Sequence, residues 1–344
     1  MKIDDIAKLA NVSRSAVSLA LNGKSGVSNA TREKIINIAK EHGYFPRSII
    51  NPNQYFQSNS KILRFVACTN EGIVTEHYDT LPFFVELMNN LKEQTGVNDY
   101  SLMVSSLNIE ELEEGLLKLE NEQQSAGILL LGTNLSAKQI ELVSKIQPNL
   151  VVLDTYVEMM DINFVVMNNF YGAYQAAKHL IDLGHKDIGY VESNARMYNF
   201  DTRKKGVLQA FDDHGIELLN KNIFSVSPTI ISSQDTFKEK IKNRLKSLPT
   251  AFVCECDYNA ISIIKSLTEL GVKVPEDVSV IGFDNIFESQ VITPELTTIN
   301  VKKQEIAAIA VNKLISQIEE NNDTKYSTIV NTNFIKRNST KKLK

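Results

Sequence analysis

The feature that most constrains the fold is an alternation of short apolar runs with longer helical patterns along residues 62–344. Runs rich in Val, Ile and Leu, such as Leu63–Cys68 and Gly127–Leu131, are followed by stretches such as Pro82–Gly96, whose apolar residues recur every three or four positions. Strands that lack polar alternation are typical of parallel sheets covered by helices on both faces. The pattern therefore predicts an α/β fold.

Two lobes are expected in this part of the chain. About ten strands are many for one open sheet, so two doubly wound halves are favoured, with a break near Asn168–Gly172 and a C-terminal crossover near 293–300. The predicted strands are Leu63–Cys68, Tyr100–Ser105, Gly127–Leu131, Leu150–Leu153, Phe164–Met167, Asp187–Val191, Ile223–Val226, Ala251–Cys254 and Val278–Ile281. The predicted helices are Pro82–Gly96, Ile109–Gln124, Ala137–Ile146, Tyr171–Leu183, Arg203–His214, Gln234–Ser247, Ala260–Leu270 and Gln304–Glu319.

The N-terminal residues differ from the rest of the chain in charge. Residues 1–61 contain nine Lys and Arg against four Asp and Glu, whereas residues 62–344 contain 28 against 37. A basic head on an acidic body suggests that only the head meets a polyanion such as nucleic acid. A solvated charged face would give similar counts, so charge alone is weak evidence.

Three short helices are predicted in the head. The first, Asp4–Ala10, is followed by the tight turn Asn11–Ser13, in which Ser13 caps a second helix that ends at Leu21. Ser28 caps the third helix. Two helices joined by a three-residue turn are typical of the helix-turn-helix motif, which places its second helix in the DNA major groove.

The second helix has an apolar and a polar face. Ala16, Val17 and Ala20 group on the side predicted to face the core. On the other side, Arg14 can reach guanine acceptors or a phosphate, and Ser15 can bond to either base type. The predicted DNA-binding residues of this face are Arg14, Ser15, Ser18, Leu19 and Asn22. A module that docks protein is the alternative, which the basic head and the small polar side chains disfavour.

The head resembles the LacI/GalR family of repressors. This resemblance is carried by an ordered set of motifs: Ile3–Ser13, Ala16–Ser18, Leu21–Gly23, Val27–Ser28, Thr31–Arg32, Gly43–Tyr44 and Pro46. It implies a DNA-binding domain over residues 1–46, with Arg14 and Ser15 as the main base-reading residues. Leu19 departs from the Arg that is common at this place in the family, which puts the usual base contact there in doubt.

The linker, residues 47–61, matches the family less well. The family pattern calls for a hinge helix whose Leu inserts into the minor groove, but Pro52 disfavours a helix and Asn53 stands where that Leu is expected. Arg47 is predicted to contact phosphate. The apolar linker residues either insert between base steps or pack against protein, and both alternatives stay open. These residues are Ile49, Ile50, Tyr55 and Phe56.

The resemblance continues through residues 62–344. It is carried by Gly172–Leu180, Leu183–His185, Thr250–Phe252, Val274–Asn285 and Leu296–Ile299. It implies the fold of periplasmic sugar-binding proteins, with an effector held between the lobes and with dimerisation through this part of the chain.

Six residues are predicted to bind the effector. They are Phe83, Phe84, Asp154, Arg203, Asp257 and Asp284. By the resemblance, Arg203 is the effector arginine, Asp154 and Asp284 are acidic residues at the cleft, and the two phenylalanines stack on a ring. Asp257 is one of the polar residues at the strand ends, where such sheets bind ligands. The alternatives are that Arg203 and Asp284 pair with each other, that Asp154 caps a turn and that the phenylalanines are core residues.

No catalytic or metal site is predicted. The chain lacks the G-x-G-x-x-G, P-loop, G-x-S-x-G and H-E-x-x-H motifs, and its five histidines are scattered. Carboxylates, amides and aromatics without a paired nucleophile and base favour binding over catalysis, and no cofactor is expected. His179 and His185 are interpreted as structural, and the basic C-terminal tail as a solvated, frayed end.

The sequence thus predicts a cytoplasmic, homodimeric transcriptional regulator, usually a repressor, that binds operator DNA and a small-molecule effector, a sugar or sugar derivative. The N-terminus shows no secretory signal, and no apolar run reaches the roughly 18 residues that span a membrane. A binding protein without DNA function and a sugar-modifying enzyme with a regulatory head are the competing classes. The sequence does not decide whether the effector is an inducer or a corepressor, or whether the protein forms dimers or tetramers.

Overall fold

The head forms a small unit of helices. The computed structural model describes residues 3–21, 26–41, 61–70, 72–320 and 323–343. Contacts divide the chain into residues 1–58 and 59–344. The helices described in the first unit are Ile3–Ala10 (α1), Arg14–Leu21 (α2) and Asn29–Glu41 (α3).

Helix caps and one small core hold the head together. The hydroxyl of Ser13 accepts a hydrogen bond from the Ala16 amide at 3.1 Å, and that of Ser28 accepts one from the Thr31 amide at 3.3 Å, which confirms both predicted caps. Ala16 is half-buried rather than a core residue. The core residues of the head are Ile6, Ala7, Ala10, Val17, Ala20, Leu21, Ile35 and Ala39.

The larger unit contains two parallel sheets, which define its two lobes. The first lobe has strands Ile62–Thr69 (β1), Ser101–Asn108 (β2), Gly127–Leu131 (β3), Leu150–Leu153 (β4), Asn163–Met167 (β5) and Ser327–Val330 (β11), in the order β11-β5-β4-β3-β1-β2. The second lobe has Ile188–Ser193 (β6), Ile223–Val226 (β7), Ala251–Cys254 (β8) and Ser279–Ile281 (β9), in the order β7-β6-β8-β9. An antiparallel pair is formed by Thr298–Asn300 (β10) and Asn333–Ile335 (β12).

Helices cover both faces of the first sheet, because successive strand residues point to opposite sides. On β3, Leu129 and Leu131 belong to the core shared with the helices Pro82–Val97 and Lys303–Glu319, whereas Ile128 and Leu130 pack with the helices Leu112–Glu122 and Ala137–Ile146. The helices of the larger unit are Pro82–Val97 (α4), Leu112–Glu122 (α5), Ala137–Ile146 (α6), Asn169–Asp182 (α7), Tyr198–Asp213 (α8), Asp235–Lys242 (α9), Asp257–Glu269 (α10), Glu288–Val291 (α11) and Lys303–Glu319 (α12). The predicted doubly wound α/β fold is confirmed.

Several element boundaries differ from the prediction. Helix α8 begins five residues earlier than predicted, at Tyr198, and α9 ends at Lys242 instead of Ser247. The strands β10, β11 and β12 were not predicted, since each is a short segment of mixed polarity that pairs with residues distant in sequence. After β9 the chain leaves the second sheet and adds β11 to the first.

The helices α7 and α8 approach so closely that Gly206 has no room for a side chain. A Cβ atom at this position would lie 2.2 Å from the Phe170 carbonyl oxygen and 3.1 Å from the Tyr174 nitrogen. We therefore expect Gly206→Ala to lower the free energy of unfolding by at least about 1 kcal/mol, as overpacking does, in urea denaturation. Gly96→Ala in α4 is the control, because nothing lies within 4 Å of its Cβ position. Equal stability of the two variants would contradict the packing argument.

The predicted frayed C-terminus is wrong for residues 337–343. Ser339 is fully buried, its carbonyl accepts a hydrogen bond from the Val280 amide at 2.8 Å, and its hydroxyl donates to the Val280 carbonyl at 2.6 Å. The Leu343 amide donates to the Leu183 carbonyl at 2.9 Å. The tail thus continues along the edge of β9, because unpaired backbone groups of an edge strand bind an extended segment well.

The tail buries a histidine, which should make stability depend on pH. A ring nitrogen of His179 lies 3.0 Å from the Thr340 hydroxyl, and its ring lies 4.6 Å from that of Phe334. Burial, with a smaller contribution from the charge of Lys336, lowers the pKa of His179 to about 4. The unfolded chain protonates this group near pH 6.5, so its contribution is complete above that pH and is lost as the pH falls toward 4.

We expect protonation of this half-buried histidine to lower the free energy of unfolding by on the order of 1–2 kcal/mol when the pH falls from about 7 to about 4.5. The measurement is urea unfolding of the wild type and of His179→Gln at both pH values, with the variant less sensitive to acid. Buried carboxyls whose pKa is raised, Asp154 and Asp257, change stability in the opposite direction, so only the difference between the two proteins is informative. Parallel pH curves would contradict the assignment.

Candidate functional site

A cleft lies where strands of both lobes end. Its empty space is about 420 Å³, which includes space open to solvent. Position at the carboxyl ends of parallel strands is the usual place for a ligand in such sheets. The lining residues are Ile73, Leu81, Phe83, Phe84, Asp154, Met197, Asn199, Phe200, Arg203, Pro228, Thr229, Cys256, Tyr258 and Asp284.

Five of the six predicted effector residues line this cleft, and Asp257 does not. The Asp257 carboxylate is fully buried and accepts hydrogen bonds from the Thr298 hydroxyl at 2.6 Å and the Ile286 amide at 2.9 Å. Burial, followed by the nearby charge of Asp284, raises the pKa of Asp257 to about 8. Asp257 therefore supports the loop after β9, and its neighbour Cys256 faces the cleft instead.

Arg203 and Asp284 pair across the cleft wall, which is the alternative that the sequence left open. An Nη atom of Arg203 lies 2.9 Å from the Asp284 carboxylate, and both residues are buried. The guanidinium also donates to the Asn169 side-chain oxygen at 2.9 Å and to the Glu255 carbonyl at 2.6 Å. It stacks 3.7 Å from the centroid of the Phe283 ring. The pair is thus held rigidly, while both members still line the cleft.

A second buried network supports this arginine. The Glu255 carboxylate accepts hydrogen bonds from the Tyr190 hydroxyl at 2.6 Å, the Ser193 amide at 2.6 Å and the Arg196 guanidinium at 2.8 Å. Because the Glu255 backbone carbonyl is itself an acceptor for Arg203, these contacts fix the position of the Arg203 guanidinium.

Asp154 connects the first lobe to the second. It follows β4, and its left-handed backbone (φ 63°) turns the carboxylate into the cleft. The carboxylate accepts hydrogen bonds from the Thr133 hydroxyl and, at 2.7 Å, from the side-chain amide of Asn199, which belongs to α8 of the second lobe. Burial raises the pKa of Asp154 to about 6. The residue is thus more than a turn cap.

Further contacts join the lobes at the aromatic wall. The Phe83 amide donates to the Tyr258 hydroxyl at 3.0 Å. The rings of Phe83 and Phe84 lie edge to face with centroids 5.5 Å apart, and both residues belong to the main core cluster while lining the cleft. Phe83 and Phe84 are therefore core residues that also form part of the cleft wall, so neither interpretation from the sequence excludes the other.

A buried lysine lies next to this wall. Lys303, at the start of α12, donates to the Asp284 carbonyl at 3.0 Å and pairs with the Glu86 carboxylate at 3.0 Å. It was not among the predicted site residues, since a lone Lys after a short strand gives no sequence signal.

The sequence also missed Asn199, Phe200 and Tyr258. Asn199 and Arg203 are four residues apart and share one face of α8, so a correctly placed helix start would have indicated Asn199. Tyr258 and Phe200 carry no motif of their own. Their role follows only from the position of their helices at the strand ends.

In the head, only some of the α2 residues predicted to bind DNA are exposed. The Arg14 side chain is 72% exposed, and its Nε atom lies 3.4 Å from the carboxylate of Asp4. Ser15 is exposed, whereas Ser18 and Leu19 are half-buried. Arg32 of α3 donates to the Ala20 carbonyl at 3.0 Å and so satisfies the end of α2. Asn22, Arg47 and the apolar linker residues lie outside the described residues.

Within the described ranges, no group of three His, Cys, Asp or Glu side chains is arranged to hold a metal ion. No helix in the same part of the chain is long and apolar enough to cross a membrane.

Comparisons with known proteins agree with this architecture. Residues 2–47 match the family model of bacterial regulatory proteins, lacI family, and residues 177–340 match a periplasmic binding protein-like domain. The chain is 32% identical to the NTD biosynthesis operon regulator NtdR of Bacillus subtilis (strain 168), over 93% of each chain.

Two solved structures are also similar. A LacI family transcriptional regulator from Enterococcus faecium with bound ribose has 25% identity and a TM-score of 0.68, over 82% of this chain and 100% of that one. The Lac repressor dimer bound to operator and an anti-inducer has the same fold, with a TM-score of 0.69 and 22% identity over 99% of both chains. The chain therefore belongs to the lacI family of bacterial regulatory proteins and is a DNA-binding transcriptional regulator with a periplasmic-binding-protein-like domain.

Proposed function

We propose that this protein is a homodimeric repressor whose affinity for operator DNA is set by a small molecule, a sugar or sugar derivative, bound in the cleft between its lobes. The observation that carries the proposal is the set of buried polar groups at the cleft, Arg203 with Asp284 and Asp154 with Asn199. A ligand that exchanges hydrogen bonds with Asp154 and Asn199 changes a contact that joins the lobes, and one that binds Arg203 and Asp284 engages the second lobe. Ribose in the Enterococcus faecium relative supports the ligand class.

On the DNA side, Arg14 and Ser15 read base edges, and Ser18, Leu19, Asn22 and Arg47 add apolar and phosphate contacts. The half-burial of Ser18 and Leu19 favours Arg14 and Ser15 as the main readers. Two heads fit a nearly palindromic operator with half-sites about one helical turn apart. We assign the DNA-binding domain to residues 1–46, the linker to 47–61 and the effector-binding and dimerisation domain to 62–344.

We also propose that the cleft binds its ligand without converting it. The Cys256 thiol lines the cleft and is a candidate nucleophile. Burial raises its pKa well above the usual value, so the reactive thiolate is disfavoured. The described His side chains do not line the cleft and offer it no base. Because the target is chromosomal DNA, we place the protein in the bacterial cytoplasm.

The proposal is tested with the full-length protein in two steps. Selection from random duplexes first defines a preferred sequence, and gel shifts then compare it with a scrambled duplex at several salt concentrations, where affinity should fall steeply with salt. Sugars, purines and small acids are then added to the protein–DNA complex and to the free protein. A true effector raises the melting temperature and changes operator affinity by about 5–150-fold, in a direction that distinguishes inducer from corepressor. Equal binding of both duplexes would contradict the proposal, as would turnover of a bound sugar.

A further inference from the structure

Asp154 is a buried carboxylate at the cleft that makes no direct ion pair with a described residue. Burial raises its pKa, whereas the more distant charge of Arg203 favours its ionised form and so lowers its pKa. Asp154 is 6% exposed and is hydrogen-bonded by neutral donors, the Thr133 hydroxyl and the Asn199 amide. Among the described residues, no nitrogen of Lys, Arg or His lies within 4.0 Å of this carboxylate. Buried carboxylates are usually paired with a cation, because hydrogen bonds from neutral groups replace only part of the lost hydration.

Three described cations near the cleft are paired with other groups, and one of them, Arg196, binds Glu255 and Asp201. Arg203 is paired with Asp284 at 2.9 Å and is further held by Asn169 and the Glu255 carbonyl. Lys303, whose side chain is 1% exposed, is paired with Glu86 and donates to the Asp284 carbonyl. An anionic ligand would therefore meet two carboxylates and no free positive charge.

The remaining wall of the cleft suits a positive charge. The faces of aromatic rings attract cations, and two of the rings already have one nearby: Arg203 Cζ lies 5.6 Å from the Phe200 centroid and Lys303 Nζ 5.5 Å from that of Phe83. Four aromatic residues line the cleft in all. These residues are Phe83, Phe84, Phe200 and Tyr258. Asp154 lines the same cleft, with a left-handed backbone (φ 63°) that is uncommon outside glycine.

We propose that the effector carries a protonated amine, as in an amino sugar, and that its ammonium group pairs with Asp154. This inference rests on the proposed effector site and adds the charge of the ligand to it. The amine supplies the missing counter-ion, and the hydroxyl groups of the same ligand exchange hydrogen bonds with Asn199 and the Arg203–Asp284 pair. Sugar acids and sugar phosphates are disfavoured by the same charges.

The test uses the full-length protein and three matched ligand series: glucose, galactose and mannose, their 2-amino derivatives, and their uronic acids. Thermal shift and calorimetry should show at least one amino sugar that binds about tenfold or more tightly than its neutral counterpart, with the uronic acids weakest. Tighter binding of a neutral sugar or a uronic acid overturns the charge assignment but leaves the effector site standing. If no sugar, purine or small acid shifts the melting temperature, the effector site itself fails and this inference with it.

Two further readouts separate a charge contact from a structural role. Asp154→Asn, which tolerates a positive φ, should abolish the preference for the amine. The control is Asp161→Asn, an exposed carboxylate in the same loop, which should retain it. In the wild type, amine affinity should decline as the pH falls through about 6, the pKa of Asp154, while neutral sugars show no such decline. A preference for amines that survives in Asp154→Asn, or a pH-independent affinity, overturns the proposal.

Discussion

Replacement of Arg203 by methionine is expected to lower the free energy of unfolding by about 3–5 kcal/mol and to abolish effector binding. The variant removes the guanidinium but leaves the Asp284 carboxylate, which is 5% exposed, buried without its partner. It also removes the donors to Asn169 and to the Glu255 carbonyl. Urea unfolding measures the first effect, and ligand-induced thermal shift measures the second.

The control and the partner variant make this prediction specific. Lys205→Met, an exposed position on the same helix, should change stability by no more than about 0.5 kcal/mol. The double variant Arg203→Met/Asp284→Asn should be less destabilised than the sum of the single variants, because each single variant leaves one buried charge unpaired and the double variant leaves none. Strict additivity, or a loss near that of the control, would show that the pair does not stabilise the lobe.

Arg14→Ala is expected to reduce affinity for the preferred operator by about 10–100-fold while nonspecific binding is largely kept. The side chain is 72% exposed and makes an exposed ion pair with Asp4, so its loss should leave the melting temperature nearly unchanged. Gel shifts with operator and scrambled duplexes measure the ratio of the two affinities.

Lys34→Ala is the matched control, since Lys34 is an exposed cation of α3 rather than of the reading helix. It should weaken binding to both duplexes by a similar factor, as the loss of general positive charge does. If Arg14→Ala likewise weakens both duplexes equally, Arg14 contacts phosphate and does not read a base.

The sequence predicted helices and strands well where the residues that determine them lie within one short segment. Ser13 and Ser28 cap helices whose first amides lie three residues away, and Gly127–Leu131 is a buried strand wherever it stands in a sheet. Element ends depended on more distant contacts. The start of α8 was missed because its first turn contains side chains that face the cleft, and β11 because its partner β5 lies far away in sequence.

For the site, two signals were used: the resemblance to the LacI/GalR family, which predicted Phe83, Phe84, Asp154, Arg203 and Asp284 as cleft residues, and the polar strand ends, which added Asp257. They were not enough to tell Asp257 from Asp284, since both follow a strand of the second lobe. The positive φ of Asp284 (111°) turns its carboxylate toward Arg203, whereas the helical start of α10 turns that of Asp257 toward Thr298.

By itself, the sequence determined the alternating strands and helices, the capped helix-turn-helix head and the chemical groups available at the strand ends, because these depend on residue type and short-range spacing. Only the tertiary structure decided that Arg203 pairs with Asp284, that Asn199 reaches Asp154 from the other lobe and that Ser339 is buried beside β9. Such contacts join residues far apart in the chain, and their geometry is set by loop backbone angles and by packing of whole elements.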